Sequence, residues 1–245
     1  MLSKKDQKYI KSLKVKKYRV REKRFLVEGA KNVQELLSSD FEVELLVGTD
    51  RFIQEYHDSS SSFRAEVVKA DLLEQIGTFK TNDTALAVAK MRKETAFELD
   101  DSKHLIVLDG VGDPGNMGTI IRTLDWFGFS ELLCSPDCAE FYHPKVINST
   151  MGSFTRVNVI HSSLEHILKD TTMPILAADM DGIPLYSVDT STPSIIVMGS
   201  ESHGIRQHIH HLITQRVTIP RYGQAESLNV GVATGIFLGH FRMSK

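Results

Sequence analysis

The sequence predicts an α/β protein with two domains, a small N-terminal one and a larger C-terminal one built on a mostly parallel sheet. Of its 245 residues 41% are apolar and 24% are charged, which is enough apolar material for a sizeable core. Short apolar runs alternate with helix-like stretches in both halves of the chain. The stretch Met91–Lys103 is charged and lacks a clear period, so we interpret it as the linker between domains 1–95 and 103–245.

The first 90 residues alternate between helical and strand-like segments. The predicted helices are Ser3–Val15, a stretch containing Val33 and Leu36, Arg51–His57 and Asp71–Ile76. The apolar runs between them are Phe25–Val27, Val43–Val47, Arg64–Val68 and Ala85–Ala89. This order predicts a small α/β domain.

The second half repeats the alternation. Its strand-like runs are His104–Leu108, Glu131–Cys134, Val157–Ile160, Ile175–Ala178, Ile195–Met198 and Val217–Ile219. The predicted helices are Met117–Phe127, Pro144–Met151, Ser163–Lys169, Gln207–Leu212 and Leu228–Phe241. Strands separated by helices predict a mostly parallel sheet that is covered on both faces.

Two helices carry residues that need an explanation. Gly231, Gly235 and Gly239 form a stripe on the last helix, which predicts a close backbone approach within the subunit, to a ligand loop or to a partner subunit. Trp126 and Phe127 stand at helical spacing with a buried-type isoleucine pair, and we predict that both rings lie in the core.

Charge is distributed unevenly along the chain. The formal net charge is −2, but residues 1–24 hold eleven basic and two acidic residues, a local charge of +9. A basic head on an otherwise acidic protein predicts contact with a polyanion, because lysine and arginine supply most of the sequence-independent affinity for nucleic acid phosphates.

Composition also excludes several protein classes. The longest uncharged apolar stretch, Val230–Gly239, is shorter than the roughly 20 residues of a membrane span, and no apolar signal region follows the basic N-terminus. Cys134 and Cys138 cannot form a disulfide framework and lack redox spacing, so we expect a cytoplasmic protein. The histidines His203, His208, His210 and His211 lack ligands that would complete a zinc site, and no metal is predicted.

A glycine cluster matches the dinucleotide-binding fingerprint. Gly110-Val-Gly112-Asp-Pro-Gly115 follows a predicted strand, and Asp137 lies 22 residues beyond it. Pro114, however, removes one of the N–H groups that such a loop aims at a pyrophosphate. The pattern favours a turn, and a nicotinamide-dependent oxidoreductase stays an alternative.

Three polar loops each follow a predicted strand. The first contains Asn116, a candidate N-cap, and leads to Arg122, whose planar fork suits a phosphate. The second is Gly199-Ser200-Glu201-Ser202-His203-Gly204, and the third runs from Pro220 to Asn229. In open α/β sheets ligands bind beyond the carboxyl ends of strands, so the loops are predicted to form one site.

These loops resemble a known family. Asn116-x-Gly118-x-x-x-Arg122, then Gly199-Ser200-Glu201-x-x-Gly204, then Ile219-Pro220 followed by Ser227-Leu228-Asn229-Val230 resemble the three ordered motifs of the SpoU/TrmH branch of SPOUT methyltransferases. The resemblance covers Lys103–Lys245. The run Phe25-Leu-Val-Glu28-Gly29 resembles the substrate-binding domain, related to ribosomal RNA-binding proteins, that often precedes this domain.

The resemblance implies a fold, a reaction and a set of site residues. The C-terminal domain would contain a deep trefoil knot, bind S-adenosylmethionine (SAM), form a homodimer and methylate a ribose 2′-hydroxyl of RNA, with rRNA favoured over tRNA. The implied cofactor-binding residues are Met198, Gly199, Ser200, Glu201, Gly204, Ile219, Pro220, Ser227, Leu228 and Asn229. The implied catalytic residues are Arg122, Asn116, Glu201, Ser227 and Asn229. Because arginine stays protonated, we expect Arg122 to hold the target phosphate and stabilise the developing alkoxide.

One position departs from the family pattern. Asn148 stands where many relatives place an arginine, so RNA affinity would come from elsewhere, with the basic head first and Lys145 and Arg221 as weaker candidates. A non-catalytic RNA-binding protein that keeps the fold is the alternative function.

Overall fold

The computed structural model describes residues 2–58, 60–93 and 97–243, and its packing divides the chain into two compact units. One unit comprises Met1–Thr95 and Glu140–Thr155, and the other comprises Ala96–Ala139 and Arg156–Lys245. Residues 94–96 of the predicted linker lie outside the described residues. The segment Glu140–Thr155, which sequence spacing placed in the C-terminal domain, packs with the first unit.

The first unit contains a four-stranded sheet in the order β1-β4-β2-β3. Its elements are α1 (Lys4–Ser12), α2 (Lys16–Glu22), β1 (Arg24–Glu28), α3 (Ala30–Leu37), β2 (Val43–Gly48), α4 (Asp50–Tyr56), β3 (Arg64–Val67), α5 (Ala70–Ile76) and β4 (Ala85–Lys90). Strand β4 runs antiparallel to both β1 and β2, and β3 runs parallel to β2. The small α/β domain is thus a mixed sheet with helices, whose core includes Ile10, Leu13, Leu26, Val47 and Leu86.

The basic head folds as two helices, where the sequence predicted one. The chain leaves α1 after Ser12 and re-enters a helix at Lys16, so that Leu13 is fully buried at the bend. Helix α2 was missed because its sequence is charged and carries little periodic apolar signal. The break lets the head bury Ile10 and Leu13, while its lysines, apart from the half-buried Lys14, stay exposed.

Arg19 is a member of the basic head that does not face solvent. Its side chain is 1% exposed, and two of its nitrogens donate to Glu140, with Nη2 lying 2.6 Å from Oε2. Nη1 also donates to the carbonyl oxygens of Leu13 and Lys14 at 3.0 and 2.7 Å. Arg19 therefore fixes the bend between α1 and α2 and is not available to a nucleic acid.

We predict that Arg19→Met destabilises the protein by about 3–5 kcal/mol, because it leaves the Glu140 carboxylate without its buried partner. Urea denaturation followed by circular dichroism measures the change. The matched control is Lys17→Met in the same helix. Because the Lys17 side chain is exposed, this substitution should change the free energy of unfolding by less than about 0.5 kcal/mol. Equal stability of the two variants would contradict the prediction.

The second unit is built on a six-stranded sheet in the order β10-β8-β9-β5-β6-β7. Along the chain after β4 the elements are β5 (Leu105–Asp109), α6 (Pro114–Trp126), β6 (Glu131–Cys134), α7 (Pro144–Ser149), β7 (Asn158–His161), α8 (Leu164–Leu168), β8 (Ile175–Pro184), β9 (Ile195–Gly199), α9 (Gln207–His210), β10 (Gln215–Thr218) and α10 (Val230–Met243). Helix α7 belongs to the first unit. Neighbouring strands pair in parallel, which confirms the predicted α/β class; the trefoil knot stays a prediction.

The glycine stripe of α10 faces α6. A Cβ atom on Gly231 or Gly235 would lie 3.4 or 3.6 Å from Cγ2 of Thr119 or Thr123, and one on Gly239 would lie 3.6 Å from the Phe127 ring. Of the three alternatives, the structure shows packing within the subunit. These are ordinary van der Waals distances, so α6 would also accommodate small side chains at the three positions, and the start of α10 lies beside the start of α6.

The prediction that Trp126 lies in the core is wrong. Its side chain is 84% exposed. Helix α6 buries Met117, Ile120, Ile121 and Leu124, and Trp126 lies one helical turn beyond exposed Arg122 on the outer face. Apolar spacing predicted the helix correctly. It did not show that Trp126, at the edge of the apolar stripe, faces solvent.

Candidate functional site

The three predicted loops begin at one edge of the second sheet. Strands β5, β9 and β10 end at Asp109, Gly199 and Thr218, and they run parallel through β8 and β9. The carboxyl ends of parallel strands meet at the same edge. The sheet topology therefore gathers the loops that sequence reasoning singled out.

Asn116 does not cap α6, contrary to the prediction. The helix begins two residues earlier, at Pro114, and Asp113 Oδ1 accepts from the Asn116 backbone N–H at 2.8 Å. Proline suits the first turn because its fixed φ is helical and its missing N–H is not needed there. Asn116 consequently lies in the first turn of α6, and its side-chain amide can reach the other loops.

Glu201 joins the three loops through two amides. The Asn116 and Asn229 side-chain Nδ2 groups both donate to Glu201 Oε1, the second at 3.1 Å. Asn229 Nδ2 also donates to Asn116 Oδ1 at 3.0 Å. One carboxylate oxygen and two amides thus tie together residues that are up to 113 positions apart in sequence.

Asn229 also caps the start of α10. Its Oδ1 accepts from the backbone N–H groups of Gly231 and Val232 at 3.0 and 3.4 Å. The side chain satisfies amides that have no partner inside the helix, as an N-cap does. Helix α10 therefore begins at Val230, two residues after the predicted start at Leu228.

A cavity of about 540 Å³ opens beside this group. Its volume lies within the range of small-molecule pockets. The proposed cofactor residues that line it are Met198, Gly199, Ser200, Glu201, Gly204, Ile219, Pro220, Ser227 and Leu228. Asn229 is outside the lining, although its two neighbours in sequence are part of it. Ala233 and Phe237 of α10 add an apolar wall.

The structure does not place Arg122 in the cavity lining. Arg122 is exposed on α6, six residues beyond Asn116 and therefore about 9 Å further along the helix axis. Within the described residues its guanidinium forms no hydrogen bond or ion pair. Its fork is accessible to a ligand from outside the chain.

Sequence reasoning missed several residues of the cavity. Asp179 and Met180 line it because β8 continues to Pro184, six residues past the predicted end. The alternation of polar and apolar residues after Ala178 was too weak a strand signal. Tyr222 also lines the cavity and is largely exposed on the third loop.

The histidines near the second loop have partners within the chain. His210 Nε2 lies 2.8 Å from the Ile205 carbonyl oxygen, and His203 Nδ1 lies 2.7 Å from the Ser202 hydroxyl. Over the described residues, no group of three His, Cys, Asp or Glu side chains could hold a metal ion. None of the helices in that part of the chain has the length and apolarity that crossing a membrane requires.

The chain matches two family profiles. Residues 103–239 match the SpoU rRNA Methylase family, and residues 5–87 match the MRM3-like substrate binding domain. A curated relative, the 23S rRNA (guanosine(2553)-2′-O)-methyltransferase RlmP of Bacillus subtilis, is 29% identical over 95% of this chain and 94% of its own length.

Solved structures show the same fold along the whole chain. A TrmH-family protein from Porphyromonas gingivalis is 34% identical, with a TM-score of 0.90 and complete coverage of both chains. An AdoMet-bound rRNA methyltransferase from Sinorhizobium meliloti has a TM-score of 0.87 at 24% identity, covering 100% of this chain and 97% of its own. The family profile, the curated relative and the solved structures agree with one another, and the chain belongs to the SpoU rRNA Methylase family.

Proposed function

We propose that the protein transfers the methyl group of SAM to a ribose 2′-hydroxyl of rRNA. The observation that carries the proposal is the Glu201 carboxylate, which joins Asn116 and Asn229 at the edge of the cavity. In this reaction the ribose oxygen forms a bond to the methyl carbon, the carbon–sulfur bond breaks, and the hydroxyl proton leaves to a phosphate oxygen or water.

The cavity fits SAM by its chemistry. Met198, Leu228, Ala233 and Phe237 offer apolar surface to an adenine ring, and the carboxylate of Glu201 suits a positively charged ligand. When bound, SAM supplies an electrophilic methyl group on a sulfonium. The residues of the second and third loops would hold it, and Ser227 would orient ligand hydroxyls through its own hydroxyl.

Arg122 would act on the RNA side of the reaction. Its exposed guanidinium suits the phosphate of the target nucleotide, where a bidentate contact fixes orientation. A positive charge close to the ribose stabilises the alkoxide that develops as the hydroxyl loses its proton. Positioning of the hydroxyl in line with the carbon–sulfur bond would supply much of the remaining rate increase.

The first unit would contribute RNA affinity. The exposed lysines of its basic head are Lys4, Lys5, Lys8, Lys11, Lys16, Lys17 and Lys23. Such charges neutralise phosphates and give binding that weakens with salt. An rRNA substrate accords with the names of the relatives given above, and we propose a cytoplasmic reaction.

Methylation of RNA with SAM carrying a labelled methyl group tests this function. The label should enter rRNA rather than tRNA, and digestion to nucleosides should recover it in 2′-O-methylribose. Label in a base, or bound SAM without transfer to any RNA, would contradict the proposal; the second result would favour an RNA-binding protein that keeps only the fold.

A homodimer is part of the proposed function, and the outer face of α6 and α10 is its proposed interface. Trp126, Met243 and Val232 leave 84%, 79% and 52% of their surface exposed there. Burial of such apolar side chains drives association. Arg122 lies on the same helix, so a partner docked here would approach the reaction site.

We predict that Trp126→Glu converts the dimer to a monomer, because a carboxylate would be buried without a partner. Light scattering after size-exclusion chromatography measures the mass. Val67→Glu, which changes an exposed apolar residue of the first unit, is the control and should remain dimeric. A monomeric unaltered protein, or a dimeric Trp126→Glu variant, would count against the interface.

A further inference from the structure

Asp109 is a fully buried carboxylate next to the second loop. It is the last residue of β5, in a sheet position directly opposite Gly199, where the loop Gly199–Ile205 begins. A buried charge is costly unless it is paired and hydrogen-bonded. Arg206, which directly follows the loop, supplies this pairing.

Arg206 contacts Asp109 through backbone and side chain together. The Arg206 backbone N–H donates to Oδ2 at 2.8 Å, and Nε donates to Oδ1 at 2.7 Å. Nη2 also donates to Oδ1, which gives three hydrogen bonds between the two residues. These contacts with Asp109 raise the pKa of Arg206, so its charge is retained. The residue at the exit of the loop is thereby fixed in both position and orientation.

The same guanidinium reaches a third strand end. Arg206 Nη1 lies 3.1 Å from Asp137, which follows β6. Ser135 donates to Asp137 at 2.7 Å and accepts from the Gly110 N–H at 2.9 Å. Burial acts to raise the pKa of Asp137, but hydrogen bonds, first from Ser135 and also from Arg206, outweigh it and lower that pKa.

The loop between these anchors is closed on itself. Ser200 and Gly204 exchange two backbone hydrogen bonds, at 3.1 and 2.9 Å. A Cβ atom on Gly199 would lie 2.2 Å from the Gly204 carbonyl carbon, so the two ends of the turn touch. Because its two ends are in contact, the position of this turn depends on the residues that hold those ends.

We propose that Arg206 is a positioning residue for the cofactor, an inference that rests on the proposed function. By holding the exit of the loop on Asp109 and Asp137, it keeps the turn that contains Ser200 and Glu201 against the cavity. Arg206 itself is not part of the cavity lining. It acts through the loop, and its main effect is on SAM affinity.

The test separates loop position from stability. Arg206→Gln alone leaves Asp109 buried without its cationic partner and should lower the melting temperature. The double variant Asp109→Asn/Arg206→Gln removes both charges and should melt close to the unaltered protein. Isothermal titration should show that the double variant binds SAM at least about 10-fold more weakly, by analogy with metal sites, where loss of a contact that orients a binding residue costs about 10- to 100-fold.

A split between kinetic constants distinguishes positioning from catalysis. At saturating SAM the double variant should keep kcat within about 3-fold, because bound cofactor restores the loop, while its KM for SAM rises. Arg206→Lys keeps the charge but not the planar fork, so its KM for SAM should lie between those of the unaltered protein and the double variant. The control is Arg156→Gln, which removes a more exposed arginine–aspartate pair, to Asp125, neither residue of which lines the cavity.

The outcomes are distinct. A double variant that regains its melting temperature and binds SAM with unchanged affinity would show that the pair is only structural and would overturn the inference. Failure of the unaltered protein to methylate RNA despite SAM binding would reject the proposed function but not the positioning of the loop. An unaltered protein that binds no SAM would reject both.

Discussion

Replacement of Arg122 by alanine is expected to abolish methyl transfer while SAM binding stays within a few-fold of that of the unaltered protein. The side chain is exposed on α6 and outside the cavity lining, so its loss removes no cofactor contact. It does remove the charge proposed to stabilise the developing alkoxide, an effect worth on the order of 100- to 1000-fold or more in kcat. Single-turnover transfer to rRNA and isothermal titration with SAM measure the two quantities.

Two further variants make the Arg122 result specific. Arg122→Lys keeps a positive charge without the bidentate fork and should retain a small fraction of activity. Arg156→Ala removes another arginine that contacts α6, through Asp125, and should leave transfer unchanged. Loss of SAM binding in Arg122→Ala would instead assign the arginine to the cofactor or to folding.

Replacement of Glu201 by alanine is expected to weaken SAM binding and transfer together, by about 100-fold in kcat/KM. The reason is that Asn116 and Asn229 lose a shared charged acceptor, and hydrogen bonds to charged groups contribute about 1.5–3 kcal/mol each. A tenfold change in kcat/KM corresponds to about 1.4 kcal/mol, so the lower limit for two such bonds, about 3 kcal/mol, accounts for this loss. SAM titration and initial-rate kinetics measure it.

The charge and the acceptor role of Glu201 can be separated. Glu201→Gln keeps an oxygen that accepts from the same two amides, so a small effect would show that hydrogen bonding is sufficient. A loss as large as that of alanine would show that the negative charge is required. Glu226→Ala, two positions before Leu228 on the exposed third loop, is the matched control and should have no effect. Unchanged SAM affinity in Glu201→Ala would refute the role of this residue.

The predicted strands of the second unit lie within about two residues of the observed ones, except at the end of β8. Buried parallel strands are continuous apolar runs, and such runs are visible in sequence. The extension of β8 from Asp179 to Pro184 was missed because it is stabilised by β10, with a register shift at Arg216 and Val217 that no local pattern encodes. Helix α2 was missed because its charged sequence carries little periodic apolar signal, while the contact of Arg19 with Glu140, 121 positions away, fixes it in the fold.

By itself the sequence determined the α/β alternation, the basic head and the three loops with their order, because apolar periodicity, charge and motif spacing are local properties. Only the tertiary structure decided that Glu201 bonds Asn116 and Asn229, that Arg206 holds the second loop on Asp109, and that Trp126 faces outward. The hydrogen-bonded residues among them lie 28 to 97 positions apart in sequence. Strand order and helix packing bring these residues together, and no single segment of the chain determines either of them.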